Sequence, residues 1–216
     1  MSIHPAMDDD DDVFAVIVAK DNRNKASSAF KLAPNARWFR PAAGGVAETA
    51  LIGSREPTPA IAPHGDEGSA DRLVLTFSEL MQLDGLGKGI RAGTNTASSH
   101  ILLGHRGTRG VSSHQYSIFV DGQMRIWLHD YHSKHGTAVG HGQQNAHERR
   151  VNETWLLAFE PDIRTYLGEL TIDSGGLVIG IEFPNHRGGN AQYLEKLRAL
   201  VDRTKEDEVP GLQGLA

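Results

Sequence analysis

From Asp71 onward the chain is a series of short apolar runs cut apart by polar or glycine-rich segments. RLVLTF (Arg72–Phe77), GIRAG (Gly89–Gly93), HILLG (His100–Gly104), QYSIFV (Gln115–Val120) and MRIWLHD (Met124–Asp130) come first. ETWLLAF (Glu153–Phe159), GELTID (Gly168–Asp173) and GLVIGIEF (Gly176–Phe183) follow, and Pro184 stops the last run. Within MRIWLHD, Met124, Ile126 and Leu128 alternate with Arg125, Trp127 and His129; Tyr116, Ile118 and Val120 alternate in the same way in QYSIFV. A period of two gives each strand one buried face. Asp121–Gly122, between these two runs, is a hairpin signal. Short strands at close spacing with no helical pattern between them predict an all-β fold, an antiparallel β-sandwich or barrel.

The period changes only near the end. Tyr193, Leu194, Leu197, Leu200 and Val201 form an apolar stripe at helical spacing behind Asn190, a good N-cap. This predicts a C-terminal helix over 187–205 whose stripe packs on the sandwich, with a partner-binding face as the alternative. Residues 206–216 read as a polar tail or linker. At the other end, Asp8–Asp12 is an acidic block whose like charges resist burial. Val13–Ala19 has the composition of one strand but no evident partner. Residues 20–70 are rich in Ala, Pro, Gly, Ser and Asn without a period, and are expected to be loop or disorder. The folded domain is therefore expected over 70–186, after a largely disordered acidic, low-complexity extension over 1–69.

Composition narrows the chemistry. With 216 residues, 39% of them hydrophobic, there is room for one ordinary domain plus extensions. Cysteine is absent, which excludes disulfides and thiolate metal sites. No run of about 18 apolar residues exists, and the N-terminus lacks the basic and apolar regions of a signal peptide. The expectation is an intracellular protein, cytoplasmic or nuclear, that does not bind membranes. A net charge of −5 argues against broad nucleic-acid binding. The charge is uneven, however. The window Ser98–Arg150 carries +3, leaving −8 for the rest, and holds eight of the eleven histidines. A locally basic module in an acidic chain points to an anionic ligand, with ordinary solvated loop charges as the alternative.

Two loops in that window stand out. GVSSHQYSIFV sets a Ser-rich loop immediately before a strand; LHDYHSKHGTAVG carries a strand into a loop of Ser, Lys and His closed by Gly136–Thr137. Polar loops feeding the strands of one β-unit make a place to hold a small charged group, a binding architecture more than a catalytic one.

These residues resemble the forkhead-associated (FHA) domains. Gly93 in GIRAGT, the strand HILL, Ser112 in the Ser motif, and Leu128, Asp130, Ser133, Gly136, Thr137 and Val139 fall at the family's spacing, over roughly residues 70–186. The wording LLGHRGTRG followed by LHDYHSKHGTAVG is also similar to FHA domains that precede the kinase domain of fungal Ser/Thr kinases. No Lys-bearing strand, His-Arg-Asp loop or Asp-Phe-Gly appears in this chain. The resemblance implies an eleven-stranded β-sandwich that binds phosphothreonine peptides through loops at one end, without cofactor, metal or catalysis, as a signalling module. It implies that Ser112 contacts the phosphate and that Gly93, Asp130, Ser133, Gly136 and Thr137 set the loop architecture.

The chain departs from the family at informative places. The phosphate-binding Arg after Gly93 is Thr94, the Arg after the motif Ser is Ser113, the structural His is Gln115, and a Thr-Asn pair becomes Lys134–His135. Arg106 and Arg109, in the loop leading to Ser112, and Lys134, on the opposite loop, are the candidates to replace the lost guanidinium, with His135 shaping the loop. The rival is a degenerate FHA domain that docks partners without phosphate. A third reading gathers His129, His132, His135 and His141 at a metal; a spacing of three alternates faces on a strand, so only a loop could bring the first two together.

Overall fold

The computed structural model describes residues 12–21, 23–42, 70–142, 148–158, 170–183 and 191–207. Every apolar run named above folds as a strand, and two further strands join them. They are β1 (Val13–Ala19), β2 (Phe39–Arg40), β3 (Arg72–Thr76), β4 (Ile90–Gly93), β5 (Ile101–Leu102), β6 (Tyr116–Val120), β7 (Ile126–Asp130), β8 (Ala138–His141), β9 (Thr154–Ala158), β10 (Leu170–Ser174) and β11 (Leu177–Glu182). Helices α1 (Lys25–Phe30), α2 (Phe77–Leu80) and α3 (Ala191–Asp207) complete the described elements, with single 3-10 turns at Ala33–Asn35 and Leu86–Lys88.

The strands form two sheets, ordered β2-β3-β1-β11-β10-β8 and β5-β4-β6-β7-β9. Their apolar faces meet in one core, where Ile126 and Leu128 of β7, Ile118 of β6, and Ile172 and Ile179 of β10 and β11 are essentially inaccessible. The fold is thus the expected β-sandwich with a C-terminal helix. It is not purely antiparallel: β5 runs parallel to β4, pairing Ala92 with Ile101 and Gly93 with Leu102.

The β6–β7 hairpin forms where Asp121–Gly122 places it, but its left-handed residue is Met124, at φ 60°. Asp121 N–H donates to Arg125 O and Met124 N–H to Asp121 O, both at 3.0 Å. That is a three-residue hairpin loop with a bulge rather than a two-residue turn. The Asp121 carboxylate supports it by accepting from the Gln123 and Arg125 amides and from the Trp127 indole.

The stripe on α3 packs inward as expected. Tyr193, Leu197, Leu200 and Val201 are buried and Leu194 is half-buried. Tyr193 closes an aromatic chain, with ring centroids 5.2 Å from Phe77 and Phe77 in turn 5.5 Å from Phe14, and its hydroxyl donates to Phe14 O. The apolar side of this helix is therefore occupied by the core. Asn190, Pro184 and Asp8 to Asp11 lie outside the described residues.

The N-terminal expectation needs correction. β1 is an interior strand, pairing Val16 with Val74 of β3 on one side and with Glu182 of β11 on the other. Within the span expected to be loop or disorder, α1 and the turn after it bury Ala26, Ala29, Phe30 and Trp38. The six-residue helix is too short to show a period. It starts without a side-chain cap at Asn24; the Asp21 carboxylate instead accepts from the Lys25 and Ala26 amides at 2.8 and 3.1 Å.

Asn35 fastens this segment to the second sheet. It is fully buried, accepts from Leu102 N–H at 2.9 Å, and donates to Leu102 O and Ala29 O at 2.9 and 2.8 Å. A side-chain amide thus acts as the outer neighbour of edge strand β5. Residues 43–69 lie outside the described set. Asn35→Leu would take the Asn35 amide away from Leu102 N–H and Leu102 O, and a stability loss of about 3 kcal/mol is expected, measured by urea unfolding with an unchanged m-value.

Candidate functional site

The two loops singled out in the sequence lie side by side at one end of the sandwich, tied by a buried chain of hydrogen bonds. Gln115, fully buried, accepts from Ser112 N–H at 2.8 Å and donates to Gly136 O at 3.2 Å and Thr137 Oγ1 at 3.0 Å. Thr137 Oγ1 passes its own proton to Asp130 Oδ2 at 2.7 Å. Asp130, also fully buried, accepts in addition from Ser133 Oγ (2.6 Å), Ser133 N–H (2.9 Å) and Asn152 N–H (3.1 Å). Four donors on one carboxylate compensate its removal from water. They also fold the chain from Asp130 to Thr137 into a fixed loop. Gly136 closes that loop at φ +71°, with Arg150 O 3.0 Å from where a β-carbon would stand.

Gln115 thus supplies a donor and an acceptor at once, joining one loop to the other. Gly93 meets the first loop from behind: a β-carbon there would collide with Ser113 O. Thr94 N–H donates to Ser112 O and Ser113 O at 3.1 and 3.2 Å. Thr94 itself is buried, its hydroxyl turned to Ser112 O, so it braces the loop from the inside rather than facing the cleft.

The first loop is braced from the other sheet as well. Gly110 and Gly175, in the β10–β11 turn, pack backbone to backbone, both at positive φ (+89° and +64°), with no space for a β-carbon on either. Such an approach needs glycine on both sides.

Between the loops lies an open cleft of about 640 Å³, walled by Thr108, Arg109 and Ser112 on one side and His132, Lys134 and His135 on the other. Ser112 Oγ accepts from Lys134 N–H at 2.8 Å, bridging the rim. Its proton has no acceptor among the described residues. Arg109 and Lys134 are exposed on opposite walls, and neither has an acidic partner among the described residues. Arg106 is exposed on the same loop as Arg109, outside the lining. Ser113 is exposed in the lining, and Ser133 is buried behind it. The four histidines of the metal reading disperse: His129 bonds Thr154 Oγ1 at 2.8 Å, His132 and His135 line the cleft, and His141 ends β8.

Two cleft residues carried no signal in the sequence. His114 stacks on Tyr131, centroids 4.4 Å apart, and His129 meets Tyr131 edge-on at 4.7 Å. The pairing requires the two loops to lie together, which no local pattern reveals. His114 Nε2 is buried without a partner among the described residues. Burial, then the nearby Arg91 and Lys88 charges, hold His114 below the usual imidazole pKa. His100, beneath the loops, is held low mainly by burial and also by Arg91. Its Nδ1 accepts from Arg91 N–H at 3.1 Å, so Nε2 carries the proton that Asp84 O accepts at 3.0 Å. Arg91 itself is committed to Ser98 O and Gly85 O.

Compared with known proteins, no family model matches the sequence, and no curated protein does. The chain is similar to a solved structure titled "Crystal structure of Rad53 1-466 in complex with AMP-PNP", at 19% identity and a TM-score of 0.36; the match covers 58% of this chain and 28% of that one.

Two outcomes follow from the buried network. Gln115→Leu keeps the volume but leaves Ser112 N–H and Gly136 O unpaired; a loss of about 2–3 kcal/mol is expected, with faster amide exchange in residues 108–114 and 131–137. Because His100 and His114 bind protons less readily folded than unfolded, their contribution is complete above about pH 6.5 and is lost as pH falls toward their depressed values. The unfolding midpoint should therefore drop between pH 7 and 5. His100→Gln, which can accept from Arg91 N–H and donate to Asp84 O, should flatten that drop.

Proposed function

We propose that this chain is a phosphothreonine-dependent docking module of the forkhead-associated type, acting by binding and not by catalysis. The observation that carries the reading is Ser112. Its hydroxyl is fixed between the two loops by Lys134 N–H, with one proton left to give and, on both sides, cations that have no acidic partner among the described residues. A phosphothreonine brings about −1.5 to −2 charges and three strong acceptor oxygens. The Ser112 hydroxyl, the Arg109 guanidinium and the Lys134 ammonium are matched to it, and charge-assisted bonds of this kind contribute roughly 1.5–3 kcal/mol each. The loops are already held by the Gln115–Thr137–Asp130 chain, so little ordering opposes binding. The likeness of its two motifs to FHA domains beside fungal Ser/Thr kinases supports a signalling role as the regulatory part, or a relative, of such a kinase.

A second reading is a phosphate-independent docking scaffold. Buried Thr94 favours it, because the position that carries the family's phosphate-gripping Arg offers the cleft no cation here.

Titration calorimetry with paired threonine and phosphothreonine peptides separates the two. At least a tenfold preference for the phosphorylated peptide, about 1.4 kcal/mol, is expected; equal affinity would leave the scaffold. Ser112→Ala and Arg109→Ala should each weaken phosphopeptide binding about fivefold or more, or roughly 1 kcal/mol, with the fold intact. Arg106→Ala should have a smaller effect.

A further inference from the structure

A second cleft, of about 270 Å³, opens beside the first, and Thr108 walls both. Arg23, Lys25 and Ser28 stand on one side of it and His105 on the other, over a floor that includes Leu103 and Leu177. These cations come from the N-terminal segment, which packs here only because β1 and Asn35 anchor it. Lys25 is half-buried, and its ammonium makes one long bond, 3.4 Å to Gly175 O. Two of its three donors therefore have no acceptor among the described residues. Arg23 is exposed and has no acidic partner among them. The closest carboxylate in sequence, Asp21, is already bonded to the Lys25 and Ala26 amides. A partly desolvated cation without a counter-ion favours an incoming anion more than a fully solvated one does.

The two clefts are mechanically continuous. Gly175, whose carbonyl holds Lys25, is the residue that packs on Gly110, two positions before Ser112. The path from Ser112 through Gly110 and Gly175 to the Lys25 ammonium is on the order of 12–15 Å, which four or five extended residues span.

We propose that a peptide seated at Ser112 runs over Thr108 and places a glutamate or aspartate carboxylate between Arg23 and Lys25. The ligand is then an acidic phosphothreonine segment recognised at two points. The apolar floor suits the methylene stem of a glutamate, and the two cations suit its head. This rests on the phosphothreonine reading of the first cleft.

The test uses the full chain and four peptides: a phosphothreonine peptide with neutral flanks, versions carrying a Glu pair four and five residues before or after the phosphothreonine, and a version with phosphoserine in place of that pair. One Glu-bearing peptide is expected to bind at least fivefold tighter than the neutral one. That gain should vanish in Arg23→Gln/Lys25→Gln while neutral-peptide affinity is unchanged. Arg23→Gln alone, which removes none of the fold's hydrogen bonds among the described residues, should lose at least half of the gain on a logarithmic scale. Equal affinity for neutral and acidic peptides, or a gain that survives both variants, would overturn the proposal. A phosphoserine peptide binding more than tenfold tighter than the Glu peptide would overturn the carboxylate assignment. Unphosphorylated twins of every peptide separate this idea from the one beneath it. If phosphate adds nothing, the first reading fails, and an acidic gain abolished by the variants among the unphosphorylated twins still supports the second cleft.

Discussion

Everything at the loop end of this sandwich depends on one buried carboxylate. Asp130 sits at the last position of β7 with no access to water, a costly place for a charge unless donors surround it. Ser133, Thr137 and the Asn152 amide supply those donors, and the geometry they demand is the shape of the second loop. Through Thr137 the same carboxylate orients Gln115, and through Gln115 it orients the Ser112 amide. The hydroxyl facing the cleft is thus positioned by a fully buried charge three hydrogen bonds away.

This division of labour separates the positions that can vary from those that cannot. The residues inside the network are polar, short and hydrogen-bonded to one another, whereas the cations on the rim have no acidic partner among the described residues. A cation at a rim position such as Arg109 or Lys134 can be gained or lost without disturbing the scaffold. Moving a donor within the network has no such freedom, because each group there is satisfied by one neighbour in one orientation.

Much of this was legible in the sequence, for identifiable reasons. Strands β3 to β7 and β9 to β11 were legible as short apolar runs between polar segments, and β7 and β10, buried at every second position, write a period of two into the chain. Helix α3 was legible for the corresponding reason at a period of 3.6. The Gly-Thr closing of the second loop and the Ser-rich character of the first could be read from the residues themselves. What could not be read depends on partners distant in sequence. β1 is a plain apolar run until Val74 and Glu182 arrive on either side. Asn35 looks like a turn residue and serves as an edge partner for Leu102. Gln115 carries no local sign that its amide joins the two loops. The parallel pairing of β5 with β4 is likewise invisible locally, since a two-residue strand carries no direction in its pattern.

The interior placement of β1 also bears on how the molecule can be divided. A boundary drawn at residue 70, where the regular alternation begins, would remove the strand lying between β3 and β11. Both neighbours would then present a row of unpaired amides and carbonyls along an apolar sheet, and β5 would lose the side chain that covers its outer edge. Open edges of that kind pair with other copies of themselves. A piece cut by its visible pattern would contain every residue of the first cleft and still be prone to assemble into aggregates.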